Sequence, residues 1–350
     1  MISIRYLLLT ALLFNVLHSQ NITTADKSKT IAETLDKWYN PDSALWETTS
    51  WWNAANGITA LCNYHRFSKD TTFDKRIYHT FAYANPNDFL NYYFDDQGWW
   101  ALAWLDAYDV FNDIRFLKKS ADIFSDMVKG WDKKCKGGIY WRKDFKYKNA
   151  ISNELFIAVA SRLHLSGIES VFNDRTAFEW AQSAASWFIK SGMINSDYLV
   201  NDGLDHCRNN NGITWTYNQG VIMGAFTYLF KATNDSLYLN TAVKIANAAI
   251  ATLVDNRGIL KEPNEPNCNA DQVQFKGIFI RNLAILDEIK NDLNYKLFIK
   301  NNANSIWQKA RDIESGQIGL MWSGPFDTGD AARQISALDV YNALLSQSTD

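Results

Sequence analysis

Two adjacent aspartates, Asp95 and Asp96, lie in the stretch Tyr93-Phe-Asp-Asp-Gln-Gly-Trp-Trp, just ahead of an apolar run. Like charges on consecutive residues beside aromatic rings repel each other and resist desolvation, so their proton affinities separate. One carboxylate can then stay ionised as a nucleophile while the other holds a proton as a general acid, which is the chemistry of glycosidic bond cleavage. Retaining glycosidases need carboxyl groups ~5–5.5 Å apart and inverting ones ~6.5–9.5 Å. Consecutive Cα atoms ~3.8 Å apart put both spacings within reach and favour the shorter. The competing reading of the pair is structural, because aspartates cap helices and suit the positive end of the helix dipole.

Aromatic and amide side chains recur near the other candidate helix starts. Trp51, Trp52, Trp99, Trp100, Trp215, Tyr217 and Phe275 offer rings that can stack on the apolar faces of sugars. Asn153, Glu154, Asp205, Gln219 and Arg281 offer hydrogen bonds to hydroxyls, and Lys276, Asp327, Arg333 and Gln334 lie at comparable positions. Each has a plainer alternative: Glu154 as a first-turn acid, Arg281 as an ion-pair partner, Trp104 and its neighbours as core. His65, His79, His164 and His206 lack metal-ligand spacing, and no nucleophile elbow, phosphate loop or dinucleotide fingerprint is present. Neither a metal nor a cofactor is expected.

The elements that must position these groups are helices. Six segments that are apolar or small around most of their circumference begin near Asn53, Gly98, Asn153, Tyr217, Gly277 and Gln334, roughly 45 to 64 residues apart. Such segments read as helices buried on most sides. Between them lie segments with a narrower apolar face and more charge: 26–39, 76–84, 117–132, 177–193, 236–254 and 295–312. An exposed helix paired with a buried one, six times over, is the pattern of repeated helical hairpins. The expected fold is all-α, an (α/α)6 barrel with inner and outer helix rings; a non-closing solenoid is the alternative. In the barrel the inner helices run parallel, so their N-termini gather the candidate residues at one end. Gly137 to Trp141 and Gly203 to Cys207 read as loop or hairpin material.

Composition narrows the class. The 35 basic and 38 acidic residues leave a net charge of −3, so there is no polycationic footprint and no nucleic-acid partner is expected. Aromatics at 14% argue against disorder, and five prolines with 17 glycines argue against a turn-rich all-β chain. Residues 1–19 read as a secretory signal peptide, with Arg5 ahead of the apolar run Leu7 to Val16 and a small residue at Ser19. Residues 20–350 are expected to form a single domain. No later segment is apolar for the ~18 residues that a membrane span needs. The C-terminus, Leu344 to Asp350, lacks the tail of a lipid-anchor signal. The mature protein is expected to be secreted, to the medium or the cell wall, and monomeric. Four cysteines (Cys62, Cys135, Cys207 and Cys268) allow three pairings in an oxidising compartment, and Asn21 and Asn234 head glycosylation sequons.

The stretch from Tyr93 through Asp95 and Asp96 to Trp104 resembles the Asp-Asp motif of glycoside hydrolase family 76, the endo-α-1,6-mannanases. The resemblance continues in order through Gly137-Gly-Ile-Tyr-Trp, Tyr147 to Phe156, Thr214 to Gly220, Phe275 to Arg281 and Gln334 to Asp339, spanning nearly the whole mature chain. It implies an (α/α)6 barrel and retaining hydrolysis of α-1,6-linked mannan, with Asp95 matching the motif's nucleophile and Asp96 its general acid/base. Fungal wall-associated members are typically membrane-anchored and are thought to act as transglycosylases, whereas this chain lacks the anchor signal. Transglycosylation uses the same covalent intermediate, so it stays open as an alternative, as does a non-catalytic carbohydrate-binding role.

Overall fold

The computed structural model describes residues 22–84 and 87–347; the expected leader and Asn21 lie outside them. Among the described residues twelve α-helices alternate in chain order between two environments. The inner set is α2 (Trp51–Ser68), α4 (Phe94–Phe111), α6 (Ala150–Leu165), α8 (Thr216–Thr233), α10 (Phe275–Lys290) and α12 (Ala331–Ser346). The outer set is α1 (Thr24–Asp36), α3 (Asp74–Tyr83), α5 (Ile114–Met127), α7 (Ala177–Ser191), α9 (Ser236–Thr252) and α11 (Leu293–Ser305).

The two sets differ as their sequences require. In α6 every residue from Ala150 to Leu163 is buried, whereas α5 buries Phe116, Leu117, Ser120, Ile123, Phe124 and Met127 along one face. Each inner helix packs on the next, and α12 packs on α2, so the ring closes and the solenoid alternative falls away. Close approach inside the ring needs missing side chains at two crossings. A Cβ on Gly220 would lie 2.6 Å from the Phe279 Cα, and one on Gly277 2.5 Å from the Ser336 Cα.

The two ends of the barrel are built differently. From inner to outer helix the chain turns tightly except over residues 166–176, which carry a small ribbon, and three of these turns use one device. Asn112, Asn234 and Asn291 take left-handed backbone as C-caps, which asparagine tolerates better than most residues. The aspartate after each, Asp113, Asp235 or Asp292, caps the following outer helix through the N–H of Arg115, Leu237 or Asn294 at 2.8–3.0 Å. The Asn234 sequon therefore sits on an exposed turn at this end.

From outer to inner helix the connections are long, and five close on a short antiparallel contact, while the one before α4 pairs Tyr93 with Arg142 of the next loop. The first is the ribbon β1 (Tyr39–Asn40) with β2 (Leu45–Trp46); later ones are single bridges at Trp131/Ile139, Ile194/Val200, Val254/Leu260 and Arg311/Ile318. Two further ribbons are β3 (Val171–Phe172) with β4 (Arg175–Thr176), and β5 (Leu204–Asp205) with β6 (Arg208–Asn209). The long loops gather over the inner-helix N-termini and build the site. Of the cysteine pairings, the structure contains Cys135–Cys207, which ties two of these loops together; Cys62 and Cys268 are free thiols. Among the described residues no helix is long and apolar enough to cross a membrane.

Candidate active site

Asp95 and Asp96 occupy the first turn of α4, behind the extended residue Tyr93. Successive residues on a helix point ~100° apart, so the two carboxylates diverge. Asp95 accepts from the indole N–H of Trp141 at 2.9 Å and from the backbone N–H of Asp96 at 3.1 Å. Asp96 accepts from the Asn91 amide at 2.6 Å. Both line a cleft of about 460 Å³, within the range of small-ligand sites, and both keep some exposure to it while protein surrounds them otherwise.

That setting controls their protonation. Burial raises Asp95 well above the ordinary carboxylate range and the Asp96 charge adds to the effect, while the N–H donors act against it. Burial pushes Asp96 up to about 6, opposed by Asn91 and assisted by the negative charge of Asp271. The pair titrates as a unit, so a broad window exists in which it holds one proton and one charge. Catalysis by the pair is expected to follow a bell in pH. Activity falls on the acid side where both are protonated, at a pH above the usual carboxylate value because both are raised, and on the alkaline side where the acid is lost. Replacing Trp141 by Phe removes a donor that favours the Asp95 anion, so the acid limb of kcat/KM should move to higher pH. An unmoved limb would show that Asp95 does not set it.

The walls are aromatic rings and further carboxylates. Tyr217 and Phe275 stack with centroids 3.7 Å apart, Trp99 lies 6.4 Å from Tyr217, and Trp52 lies 5.7 Å from Trp99. On the opposite side Tyr93 and Trp141 are 5.3 Å apart, with Tyr147 set edge-on beyond. Three cleft carboxylates are each held by an indole N–H: Asp95 by Trp141, Asp202 by Trp215 at 3.1 Å, and Asp271 by Trp52 at 2.8 Å. Hydrogen bonds of this kind aim each carboxylate; the second oxygen of Asp95 also accepts from the Asp96 N–H and that of Asp202 from the Tyr147 hydroxyl, so a sugar hydroxyl would use their remaining lone pairs. Among the described residues no group of three or more His, Cys, Asp or Glu side chains is arranged around a metal position.

Of the residues singled out from the sequence, Trp52, Asp95, Asp96, Trp99, Tyr217 and Phe275 meet in this cleft. Trp215 stands behind it, orienting Asp202. Trp100 is fully buried, stacked on Trp104 at 5.4 Å, and Trp51 packs on Trp100. They are core because their positions on α2 and α4 face neighbouring helices.

Asn153 and Gln219 use their amides elsewhere. Asn153 exchanges hydrogen bonds with the backbone of Ile139 at 2.7 and 3.0 Å, and Gln219 does the same with Val200 at 2.7 and 2.9 Å. Gln334 accepts from Ile318 at 3.0 Å in the same way. These amides clamp three of the long loops onto the next inner helix, which explains their recurrence near helix starts without any ligand.

Arg281 pairs with Asp339 and Asn56 away from the cleft. Lys276 is fully buried against Glu265 and the Leu320 carbonyl, Asp327 accepts from the Leu320 N–H, and Arg333 pairs with Asp330. Glu154 is fully buried with neither oxygen hydrogen-bonded, and burial holds its carboxyl well above the usual range. Asp205 is exposed on the β5–β6 ribbon, outside the cleft.

The sequence reading did not single out Tyr93, Trp141, Tyr147, Asn149, Asp202 and Asp271 as ligand groups. Trp141 and Tyr147 fall inside blocks that carried the family resemblance, so a signal for them existed; Asp202 and Asp271 are loop residues with no pattern around them.

Buried paired aspartates in an aromatic cleft, at the inner-helix N-terminal end of a closed (α/α)6 barrel, define a glycoside hydrolase. The family model for glycosyl hydrolase family 76 matches residues 23–350, and the chain belongs to that family. A putative mannan endo-1,6-alpha-mannosidase of Schizosaccharomyces pombe is 27% identical over 352 residues, covering 91% of this chain and 78% of the relative. The mannan endo-1,6-alpha-mannosidase DFG5 of Candida albicans is 26% identical over 334 residues, covering 84% and 72%. Among solved structures, an inactive variant of a Salegentibacter α-1,6-mannanase, with two consecutive aspartates replaced by asparagine and bound to α-1,6-mannotriose, superposes with a TM-score of 0.81. It is 23% identical and covers 93% of this chain and 99% of its own. Dfg5 from Chaetomium thermophilum, in complex with glucosamine, superposes with a TM-score of 0.81 at 19% identity, covering 95% and 92%.

Proposed function

We propose that this chain is a secreted, monomeric, retaining endo-α-1,6-mannanase, made with a leader at residues 1–19 ahead of one catalytic unit. The observation that carries the reading is the pair Asp95 and Asp96, both raised by burial, at the floor of an aromatic cleft yet held by different partners. The relatives' names supply the linkage, and the bound mannotriose of the Salegentibacter protein supports the substrate class.

In the reactive arrangement the single proton of the pair lies on Asp96; the Asp95 anion, disfavoured by burial but met by two N–H donors, attacks the anomeric carbon as Asp96 passes that proton to the departing glycosidic oxygen. A β-linked mannosyl ester forms on Asp95. Asp96, now ionised, takes a proton from water, whose oxygen displaces Asp95 and restores the α configuration. Trp52, Trp99, Tyr217 and Phe275 supply stacking faces, and Asp202 and Asp271 accept from sugar hydroxyls.

The test follows anomeric protons by NMR while the purified protein acts on α-1,6-mannotetraose. α-configured reducing ends in the first minutes are expected. Early β-product would remove the covalent role of Asp95, and no product would remove the hydrolase reading. Longer products on adding an acceptor would show transfer to sugar in place of water.

A further inference from the structure

The cleft does not end at Tyr147. The far side of that ring lines a second concavity of about 220 Å³, whose other walls include Lys134, Cys135, Lys146, Lys148, Asp205 and His206. The Tyr147 hydroxyl donates to Asp202 on the cleft side and accepts from the Asn210 amide at 3.0 Å on the ribbon side. An adjoining hollow carries His206 and Arg208 along the outside of the same ribbon. Tyr147 lines both the cleft and this concavity, and the concavity shares Asp205 and His206 with the outer hollow.

The walls of this pocket are rigidly held. Cys135–Cys207 joins the loop after α5 to the β5–β6 ribbon. Lys148, whose side chain is 2% exposed, donates to Asp132 and to the carbonyls of Lys134, Gly137 and Gly138 at 2.6–2.8 Å, bracing the loop from beneath. Four non-glycine residues at this junction, Cys135, Lys136, His206 and Cys207, have left-handed backbone, with φ from 48° to 65°. Such conformations persist only where the surroundings over-determine them.

Cations outnumber carboxylates in the lining, where Lys134, Lys146 and Lys148 stand against Asp205. Lys134 and Arg208 are exposed and have no carboxylate partner among the described residues. Lys146 lies 3.9 Å from Asp144, whose carboxylate already accepts from Arg142 at 3.0 Å. The Asp205 carboxylate lies 2.8 Å from the His206 ring nitrogen, and Asp132 is taken by Lys148 and Tyr140. The aromatic surface is not free either. Tyr140 is 2% exposed, with the Lys148 ammonium 4.6 Å from its centroid and Phe145 against its edge. Tyr147 is the one ring left to a neutral sugar here, whereas an anion would find the Lys134 ammonium without a carboxylate partner and Lys146 only loosely held.

We propose that this pocket binds an oxyanion, a phosphate ester or a carboxylate, carried by the glycan whose neutral backbone lies in the cleft. The inference rests on the reading of the cleft as a mannan site. The test compares kcat/KM of the full chain for α-1,6-mannopentaose with that for the same oligosaccharide carrying a phosphate ester, or a carboxylate, at carbon 6 of its terminal mannose. At low ionic strength the anionic substrates should be preferred by about 5- to 10-fold, and the preference should shrink as salt screens the exposed cations. In the double variant Lys134→Glu/Lys146→Glu it should disappear, with cleavage of the neutral pentaose serving as the fold control.

A preference for phosphate alone, or for both anions, supports the pocket and names its oxyanion. Equal rates on all three substrates, or a preference that survives the double charge reversal, overturns it. No cleavage of the neutral pentaose would instead overturn the reading of the cleft.

Discussion

Replacing Asp95 by alanine is expected to lower kcat/KM on α-1,6-mannotetraose by about 10³–10⁵-fold, the scale on which loss of a covalent nucleophile is felt. Asp96→Ala should fall by a similar factor on substrates with a poor leaving group and much less on an activated aryl mannoside, which leaves without protonation. Azide separates the two roles. In Asp95→Ala it can enter the space left by the carboxylate and attack the anomeric carbon directly, giving inverted β-mannosyl azide. In Asp96→Ala it attacks the ester on Asp95 and gives α-mannosyl azide. The reverse pattern of anomers would exchange the assignments, and near-normal turnover in either variant would sink them.

Asparagine at the same two positions should leave the fold intact or strengthen it. Both carboxyls have folded-state pKa values raised by burial, so the folded state binds protons more tightly than the unfolded chain does. Stability from this pair is greatest where both are protonated and declines as pH rises through the folded values. At neutral pH an uncharged Asn at either position removes a desolvation cost. Asp95→Asn and Asp96→Asn should therefore unfold at equal or higher denaturant concentration than the parent at pH 7.

The largest expected loss of stability lies at the other end of the barrel. Arg162 on α6, 7% exposed, donates to Asp106 at 2.7 Å and to Asp109 at 2.8 Å, both on α4. Asp109 also receives Arg66 from α2 at 3.3 Å. Arg162→Met should cost about 3–5 kcal/mol, because the Asp106 carboxylate, 11% exposed, is left without its counter-charge. The denaturant midpoint should fall with the m-value unchanged. Adding Asp106→Asn should restore part of the loss by removing the stranded charge. The site faces a cavity of about 170 Å³, so a loss under about 1 kcal/mol would mean that water there solvates the carboxylate.

Much of the fold was legible from periodicity, because a helix's environment is written in its own circumference. The segments expected at 177–193 and 236–254 appear at Ala177–Ser191 and Ser236–Thr252. The last outer segment departs most: the α-helix stops at Ser305 and the chain continues as a single π-turn, Ile306–Ala310. The Asn-Asp turns at 112–113, 234–235 and 291–292 were also readable in the sequence and mark three helix ends.

Cleft placement followed from helix start at Asp95 and Asp96, since residues in the first turn of an inner helix lie at the loop end of the barrel, and Trp99 lines the same cleft from the next turn. Residue type alone failed at Asn153 and Gln219. An amide that clamps a loop and an amide that binds a hydroxyl are the same group, and only the position of the Ile139 and Val200 backbone tells them apart. Trp100 failed similarly, because one step along α4, a rotation of ~100°, separates a cleft ring from a core ring.

The sequence by itself determined the helical repeat, pointed to a closed ring over an open solenoid, and singled out the carboxylate pair Asp95 and Asp96, because helix burial and adjacent acids are both written in local sequence. Tertiary structure alone decided which side chains share the cleft with that pair. Trp141, Asp202 and Asp271 come from three loops separated by scores of residues, and each is aimed by a partner distant in sequence. The physical reason is that helix burial is set by neighbours three and four residues away, whereas the groups facing a sugar meet only because six inner helices pack in a closed ring and carry their loops to the same end.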